Sequence, residues 1–322
     1  MALDISVVIL TYNEEIHIRR CIENVHGLCT DVFVVDCFST DKTKYIAEEL
    51  GAHIFERAWP GNQATQFNWA LENLPIKTKW VLRLDADEYL TDELKQEVKL
   101  KLESLPEDTT GCVFKLRRVF LGRAIRRGMP TVQLLRLFQY KKAVCEQRLM
   151  DEHIQLLEGN SVEFKHDFVD DNLNNLSWWS QKHIGYAIRE AADLLDMEYG
   201  FLKGSSETHE DAEKELGAQA SRKRVQKMKY ARMPLFWRSF SYFVYRYIFK
   251  GGCLEGKEGF LWHFLQGWWY RTLVDAKIFE VKQKAKHCLQ KESDSQQGNT
   301  ISHERMGEMI LKILRDEYGM AL

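Results

Sequence analysis

A chain of 322 residues, 45% hydrophobic and 29% charged, has enough apolar material for one large folded domain or a domain with an appendage. A net charge of -2 excludes a protein that binds nucleic acid by bulk electrostatics. Seven cysteines, odd in number and without a Cys-x-x-Cys pair, exclude a zinc knuckle and a disulfide framework and fit a reducing cytosol.

Ile5 to Leu10 is a short β-branched run that reads as a buried parallel strand. Asp4 interrupts the N-terminal apolar run, so no signal peptide is expected. Thr11-Tyr12-Asn13-Glu14 ends the strand, and Ile18, Cys21, Ile22 and Val25 then form one helical stripe. Val32 to Val35 is a second strand, closed by Asp36. Ser39, Thr40 and Asp41 offer caps for a helix over 42–50, which Gly51 stops. His53 to Phe55 is a third strand, 62–74 a helix, and Trp80 to Leu84 a fourth strand ending in Asp85-Ala86-Asp87-Glu88. That alternation implies an α/β fold with a doubly wound, mainly parallel sheet.

The rhythm changes after an amphipathic helix over 91–102. Strands at 113–116 and 133–138 flank a basic loop, an acidic cluster follows at Asp151-Glu152-His153, and 176–197 is a helix carrying Lys182 and His183. Residues 204–217 are polar and acidic. From Arg222 to Lys250 there are nine Lys/Arg and no Asp or Glu, with eight aromatics between Phe236 and Phe249, and Trp262, Trp268 and Trp269 continue the pattern. Cations interleaved with aromatics suit a membrane interface or nucleic acid, and the net charge disfavours the latter. Residues 291–300 read as a linker and 302–317 as an amphipathic helix. No run of about 18 uncharged apolar residues exists, so no spanning helix is expected.

Ligands of open α/β sheets bind outside the carboxyl ends of the strands. The tips of the first, second and fourth strands should therefore converge, bringing Thr11, Tyr12, Glu14, Asp36, Asp85 and Asp87 to one edge. Strand alternation would put Asp85 and Asp87 on the same side, where two carboxylates repel unless a cation sits between them. Hard oxygen ligands suit Mg²⁺ or Mn²⁺. An acid ending the second strand commonly bonds a ribose or base edge. Neither G-x-G-x-x-G nor G-x-x-x-x-G-K-[ST] occurs, so a dehydrogenase-type dinucleotide site and a P-loop are disfavoured. What remains is a nucleoside-diphosphate donor held through a cation. A haloacid-dehalogenase-type phosphotransferase also uses Asp-x-Asp, but wants Thr or Val two residues on and the first strand; Tyr89 and the fourth strand are found instead.

Residues 5–15, 34–43 and 82–88 resemble the three N-terminal signatures of family 2 glycosyltransferases, the Asp-x-Asp last. Residues 59–70, with Gln66 and Asn68, are similar to a segment of the branch that makes lipopolysaccharide core, capsule and O-antigen sugars. The resemblance implies a GT-A fold over 1–200, with a nucleotide-binding half at 1–103 and an acceptor and base half at 104–200. A helical membrane-associating extension over 201–290, then a linker and terminal helix over 291–322, would follow. It further implies inverting transfer from a nucleotide sugar, usually a UDP-sugar, with Thr11, Tyr12, Glu14 and Asp36 at the uridine and Gln66 and Asn68 near the donor. Asp87 would be the direct metal ligand, with Asp85 beside it and His166 as a further candidate. Arg136, Lys182 and the loop from Arg123 to Arg127 would neutralise the diphosphate. The base falls at Asp151 or Glu152, with Glu152 favoured by likeness to a Val-His-Glu variant. The implied acceptor is a lipid-linked oligosaccharide at an anionic membrane surface contacted through 222–270, which puts the protein on the inner face of the cytoplasmic membrane. A non-catalytic sugar-nucleotide or lipid-binding protein on the same scaffold is the alternative.

Overall fold

The computed structural model describes residues 2–147, 152–202, 229–294 and 302–320. The chain divides into two compact units, Met1–Asn175 and Leu176–Leu322.

The first unit is built on β1 (Ile5–Thr11), α1 (Ile18–Val25), β2 (Asp31–Asp36), α2 (Thr43–Glu49), β3 (His53–Glu56), α3 (Gln63–Asn73) and β4 (Trp80–Asp85). β1 lies between β2 and β4, parallel to both, and β3 pairs parallel outside β2. Alternation along the strands divides the core. Val7, Ile9, Val34, Leu82 and Leu84 meet the α1 stripe of Ile18, Cys21 and Ile22, while Val8, Phe33, Val35 and Val81 meet Ala64, Phe67 and Ala70 of α3. Both faces are buried, which is why these strands are mostly apolar rather than alternating. Register pairs Thr11 with Asp36 and Leu10 with Asp85, so the three acid-bearing tips share one edge.

The sheet continues as a mixed half. β5 (Glu88–Leu90) and α4 (Asp92–Lys101) are followed by β6 (Thr109–Phe120), β7 (Arg123–Ile125), β8 (Val132–Gln139), β9 (Ala143–Cys145), β10 (Ile154–Leu156) and β11 (Asn160–Asp171). The order is β3-β2-β1-β4-β8-β6-β11-β5, with β7 beside β6 and a separate β9–β10 pair. This completes an α/β sheet in which a doubly wound parallel half is joined to an antiparallel-containing half.

β11 carries an irregularity between Glu163 and Asp167 that takes backbone groups out of the ladder with β6. Glu97 of α4 fills the gap. Its carboxylate, almost fully buried, accepts the N–H groups of Lys165 at 3.0 Å and His166 at 3.2 Å, the His166 ring at 2.9 Å and Lys101 at 2.7 Å. Burial pushes this carboxyl up, but the donors outweigh it and hold its pKa at about 2. A depressed carboxylate stabilises the fold fully above its unfolded value and loses that contribution as pH falls toward the folded value. Thermal melts of Glu97→Gln should therefore show a loss of about 2 kcal/mol at neutral pH that shrinks between about pH 5 and pH 2. A pH-independent difference would contradict this role.

The second unit is helical: α5 (Leu176–Tyr199), α6 (Trp237–Val244), a π-helical turn Tyr245–Phe249, α7 (Gly256–Trp262), a second π-helical turn His263–Trp269, α8 (Tyr270–Asp294) and α9 (His303–Asp316). Ala187, Ala191 and Leu195 pack with Val274, Ile278 and Val281 of α8 and with Ile310 and Leu314 of α9. The helix from 176 thus belongs to this core, and the units part before it rather than at 200. The 25 residues of α8 bury Tyr270, Val274, Ile278, Val281, Ala285 and Leu289 at helical spacing, a periodicity the sequence reading passed over. The expected polar segment 204–217, the expected linker core 295–300 and the basic residues 222–228 lie outside the described residues. Among the described residues, no helix is long and apolar enough to cross a membrane.

Candidate active site

Thr11 and Asp36 end adjacent strands, and Thr11 Oγ1 donates to Asp36 Oδ2 at 2.7 Å. Asp36 is fully buried. Its Oδ1 accepts Ser39 N–H at 2.6 Å and its Oδ2 also accepts Ser39 Oγ at 2.6 Å. Three of the roughly four acceptor sites of the carboxylate are thus taken up inside the protein. The expected ribose or uridine acceptor is thus first an internal clamp on the loop after β2. Asn13 adopts φ 55°, which Asn tolerates, and its side-chain oxygen accepts Thr40 N–H at 2.8 Å, joining the loops after β1 and β2. Tyr12 is 60% exposed at this edge, so its ring is open to a ligand.

Glu14 and His17 extend the clamp. Leu173 N–H donates to His17 Nε2 at 2.9 Å, which puts the ring proton on Nδ1, 2.6 Å from Glu14 Oε2. His17 therefore links the turn after β1 to the segment after β11. Arg20 makes the parallel connection. It donates to the Asp171 carboxylate at 2.6 Å and to the carbonyls of Asp171 at 2.5 Å and Asp87 at 3.2 Å.

β4 stops at Asp85, so Asp87 stands in the turn before β5 and strand alternation does not set its direction. Asn172 does: its Nδ2 donates to Asp87 Oδ2 at 2.8 Å. Asp85 is held differently. Gln63 Nε2 donates to its Oδ1 at 3.4 Å, and Arg136 Nη2 lies 3.5 Å from its Oδ2. Beneath them Glu88 is buried, accepting Asp85 N–H at 2.9 Å and Arg136 Nη2 at 2.5 Å. Burial pushes the Glu88 carboxyl up and Asp85 and Asp87 add to this, while Arg136 opposes it. Asp170, beside Arg118 at 3.3 Å, is likewise raised by burial and by Asp87 and Asp85. The edge is thus more acidic than the two expected carboxylates alone.

Four of the expected site residues have partners within the protein. Arg136 was expected at the diphosphate; it is 7% exposed and serves as the internal counter-ion of Glu88 and Asp85. His166 was expected near the metal; its ring and backbone N–H both engage Glu97, within the β11 irregularity. Gln66 is fully buried, its Oε1 accepting Arg57 Nη1 at 3.0 Å and its Nε2 reaching Cys37 Sγ. Asn68 makes a two-way pairing with the Cys145 backbone, both bonds 2.8 Å, and so fixes β9 against α3. These two side chains brace the elements around the site. Lys182 lies on α5 of the second unit with its ammonium over the rings of Trp178 at 4.5 Å and Tyr186 at 5.8 Å. Asp151 lies outside the described residues.

Glu152 is half-buried, and Asn62 Nδ2 reaches its Oε1 at 3.5 Å. Asn62 is also the N-cap of α3, accepting Thr65 N–H at 3.0 Å. The next residue, Gln63, holds Asp85. The N-terminus of α3 therefore connects the candidate base to the Asp-x-Asp edge.

A doubly wound parallel half, acid-bearing strand tips and a mixed half that supplies a further carboxylate make up an α/β domain with its candidate site at the strand-tip edge. Residues 6–153 match the family model described as glycosyl transferase family 2. An uncharacterised glycosyltransferase of Rickettsia typhi is 34% identical over 142 residues, 43% of this chain and 47% of that protein. A lipopolysaccharide core biosynthesis glycosyltransferase, LpsC of Rhizobium meliloti, is 32% identical over 125 residues, 37% of this chain and 44% of that protein. The chain spans less than half the length of these curated relatives. Among solved structures, a mannosyltransferase from Pyrobaculum calidifontis, in complex with GDP-Man and Mn²⁺, aligns at 15% identity over 87% of this chain and 88% of that one, with a TM-score of 0.49.

Proposed function

We propose that the chain is an inverting glycosyltransferase that moves a sugar from a nucleoside-diphosphate sugar, in the first instance a UDP-sugar, to a hydroxyl of a lipid-linked oligosaccharide in bacterial surface polysaccharide synthesis. The observation that supports it most is the link through Asn62 and Gln63, which brings Glu152 and Asp85 to one helix N-terminus. An acceptor hydroxyl is too weak an acid to lose its proton unaided, so a carboxylate takes it as the oxygen bonds to the anomeric carbon. Glu152 is that base, with Asp151 as the alternative. The bond from the anomeric carbon to the diphosphate breaks on the opposite face, and the nucleoside diphosphate leaves with the electron pair. One displacement inverts the centre, by the geometric logic of the inverting glycosidases.

The chemistry of the donor set suits a divalent cation. Asp85 and Asp87 offer hard oxygens of the kind such a cation takes. A bound Mn²⁺ or Mg²⁺ would supply positive charge against the leaving diphosphate, with Asp87 as its direct ligand and Asp85 beside it. Asn172 aims the Asp87 carboxylate, and Arg20 fixes the Asp87 backbone. Tyr12 and the loop that Asp36 holds take the nucleoside. We place the working enzyme at the inner face of the cytoplasmic membrane, held through 222–270. The name of the Rhizobium relative and the resemblance of residues 59–70 favour a lipopolysaccharide-type acceptor.

A screen of nucleotide sugars for nucleotide release, with extracted lipid acceptor, tests the reading. One donor should turn over in the presence of Mn²⁺ or Mg²⁺. Nucleotide binding without turnover on every donor would favour a non-catalytic sugar-nucleotide or lipid-binding protein instead.

A further inference from the structure

We infer that the outer face of α6 and the π-helical turn after it is a bilayer-docking face for anionic phospholipid, which rests on the reading of the enzyme as membrane-associated and gives that association a place. The segment is inside out. A helix at a water-facing surface buries its apolar stripe and exposes its polar one. Here Arg238, Ser239 and Arg246 are 2%, 0% and 3% exposed, whereas Trp237, Ile248 and Phe249 are 70%, 55% and 75% exposed.

The burial of the polar side is built, not incidental. Arg238 forms an ion pair with buried Asp275, Nη2 to Oδ1 at 2.6 Å, and Ser239 Oγ lies 3.0 Å from Thr272 Oγ1 on α8. Gly267 leaves room for the Arg246 guanidinium, since a Cβ there would stand 3.2 Å from Nη1. With the polar face committed inward, rotating the helix to hide Trp237 and Ile248 would break a buried ion pair, a large cost. The apolar stripe is thus held outward.

The stripe is continuous. Trp237, Phe240, Tyr245 and Ile248 follow helical spacing, and Phe240 packs edge-on to Trp237 at 6.4 Å and to Trp268 at 5.2 Å. Exposed contiguous apolar surface of this kind marks an interaction site. Charge selects the occupant. No Asp or Glu occurs from Lys229 to Leu254, the exposed charges Lys229, Arg232 and Lys250 are all cationic, and the first acid, Glu255, is buried. Aromatic and aliphatic apices flanked by exposed cations match a bilayer interface with anionic headgroups.

Vesicle flotation of the full chain tests this, using phosphatidylcholine alone and phosphatidylcholine mixed with phosphatidylglycerol. Wild type should float with the mixed vesicles and less with the neutral ones. Ile248→Glu/Phe249→Glu should lower binding to mixed vesicles by about tenfold or more. Trp237→Ser should lower it less, and Lys250→Glu should reduce the preference for the anionic vesicles. Leu100→Glu, at a residue 79% exposed on α4 of the first unit, should bind as wild type. Melting curves and UDP binding on the same samples confirm that each variant is folded. Equal flotation of wild type and the double variant would overturn the assignment. So would a wild-type dimer, dissolved by the double variant, that ignores vesicles, since the face would then be a self-association surface. Flotation needs no donor, so an enzyme inert on every nucleotide sugar that still floats as described would sink the transfer reading and leave the docking face standing.

Discussion

Asp87→Ala is expected to lower turnover by about 10²–10³-fold, the effect of removing several kcal/mol of charge stabilisation from the leaving diphosphate. The residue stands in the turn between β4 and β5, where Asn172 aims one carboxylate oxygen and Arg20 fixes the carbonyl. The loss should appear with the donor that turns over in wild type, at saturating Mn²⁺, and should not be recovered by more metal. Asp85→Ala should be harder to interpret, because Asp85 also contacts Gln63 and Arg136 within the acidic edge. Undiminished turnover in Asp87→Ala, measured as nucleotide release, would remove the metal assignment.

Glu152→Gln is expected to lower kcat by about 10²–10⁴-fold while leaving the KM for the donor nearly unchanged. The amide keeps the shape and the contact to Asn62 but cannot take a proton. Asp151→Asn serves as the comparison. If the larger kcat loss falls on Asp151, the roles exchange and Glu152 becomes its support. If neither variant loses kcat, the base is another carboxylate, and Asp170 beside Asp87 is the next to replace.

The parallel half of the fold could be read from residues because its strands are buried on both faces. Ile5 to Leu10 and Trp80 to Leu84 are apolar runs broken only by Ser6 and Arg83, and each leads into the residues that define the edge. β11 could not be read in the same way. Its residues alternate charged and apolar, an irregularity interrupts it, and part of its backbone is satisfied by Glu97 rather than by a neighbouring strand. The direction of Asp87 was hidden for a related reason: Asn172 and Arg20 are distant in sequence and meet it only in the folded chain. The role of Arg136 is not legible in the sequence, because an arginine near acids reads equally as a ligand for phosphate or as an internal counter-ion. Only its burial against Glu88 separates the two. The aromatic-basic stretch was noticed from composition, but composition does not say which side faces out. The inward arginines at 238 and 246 supply that.

Calorimetric titration of UDP into the chain, with Mn²⁺ and again with excess chelator, tests most directly whether the strand-tip edge holds a nucleoside diphosphate through a cation. Saturable binding with Mn²⁺ that disappears with chelator, and is lost in Asp87→Ala, is the expected result. Binding of equal strength with and without metal, unchanged by Asp87→Ala, would contradict it.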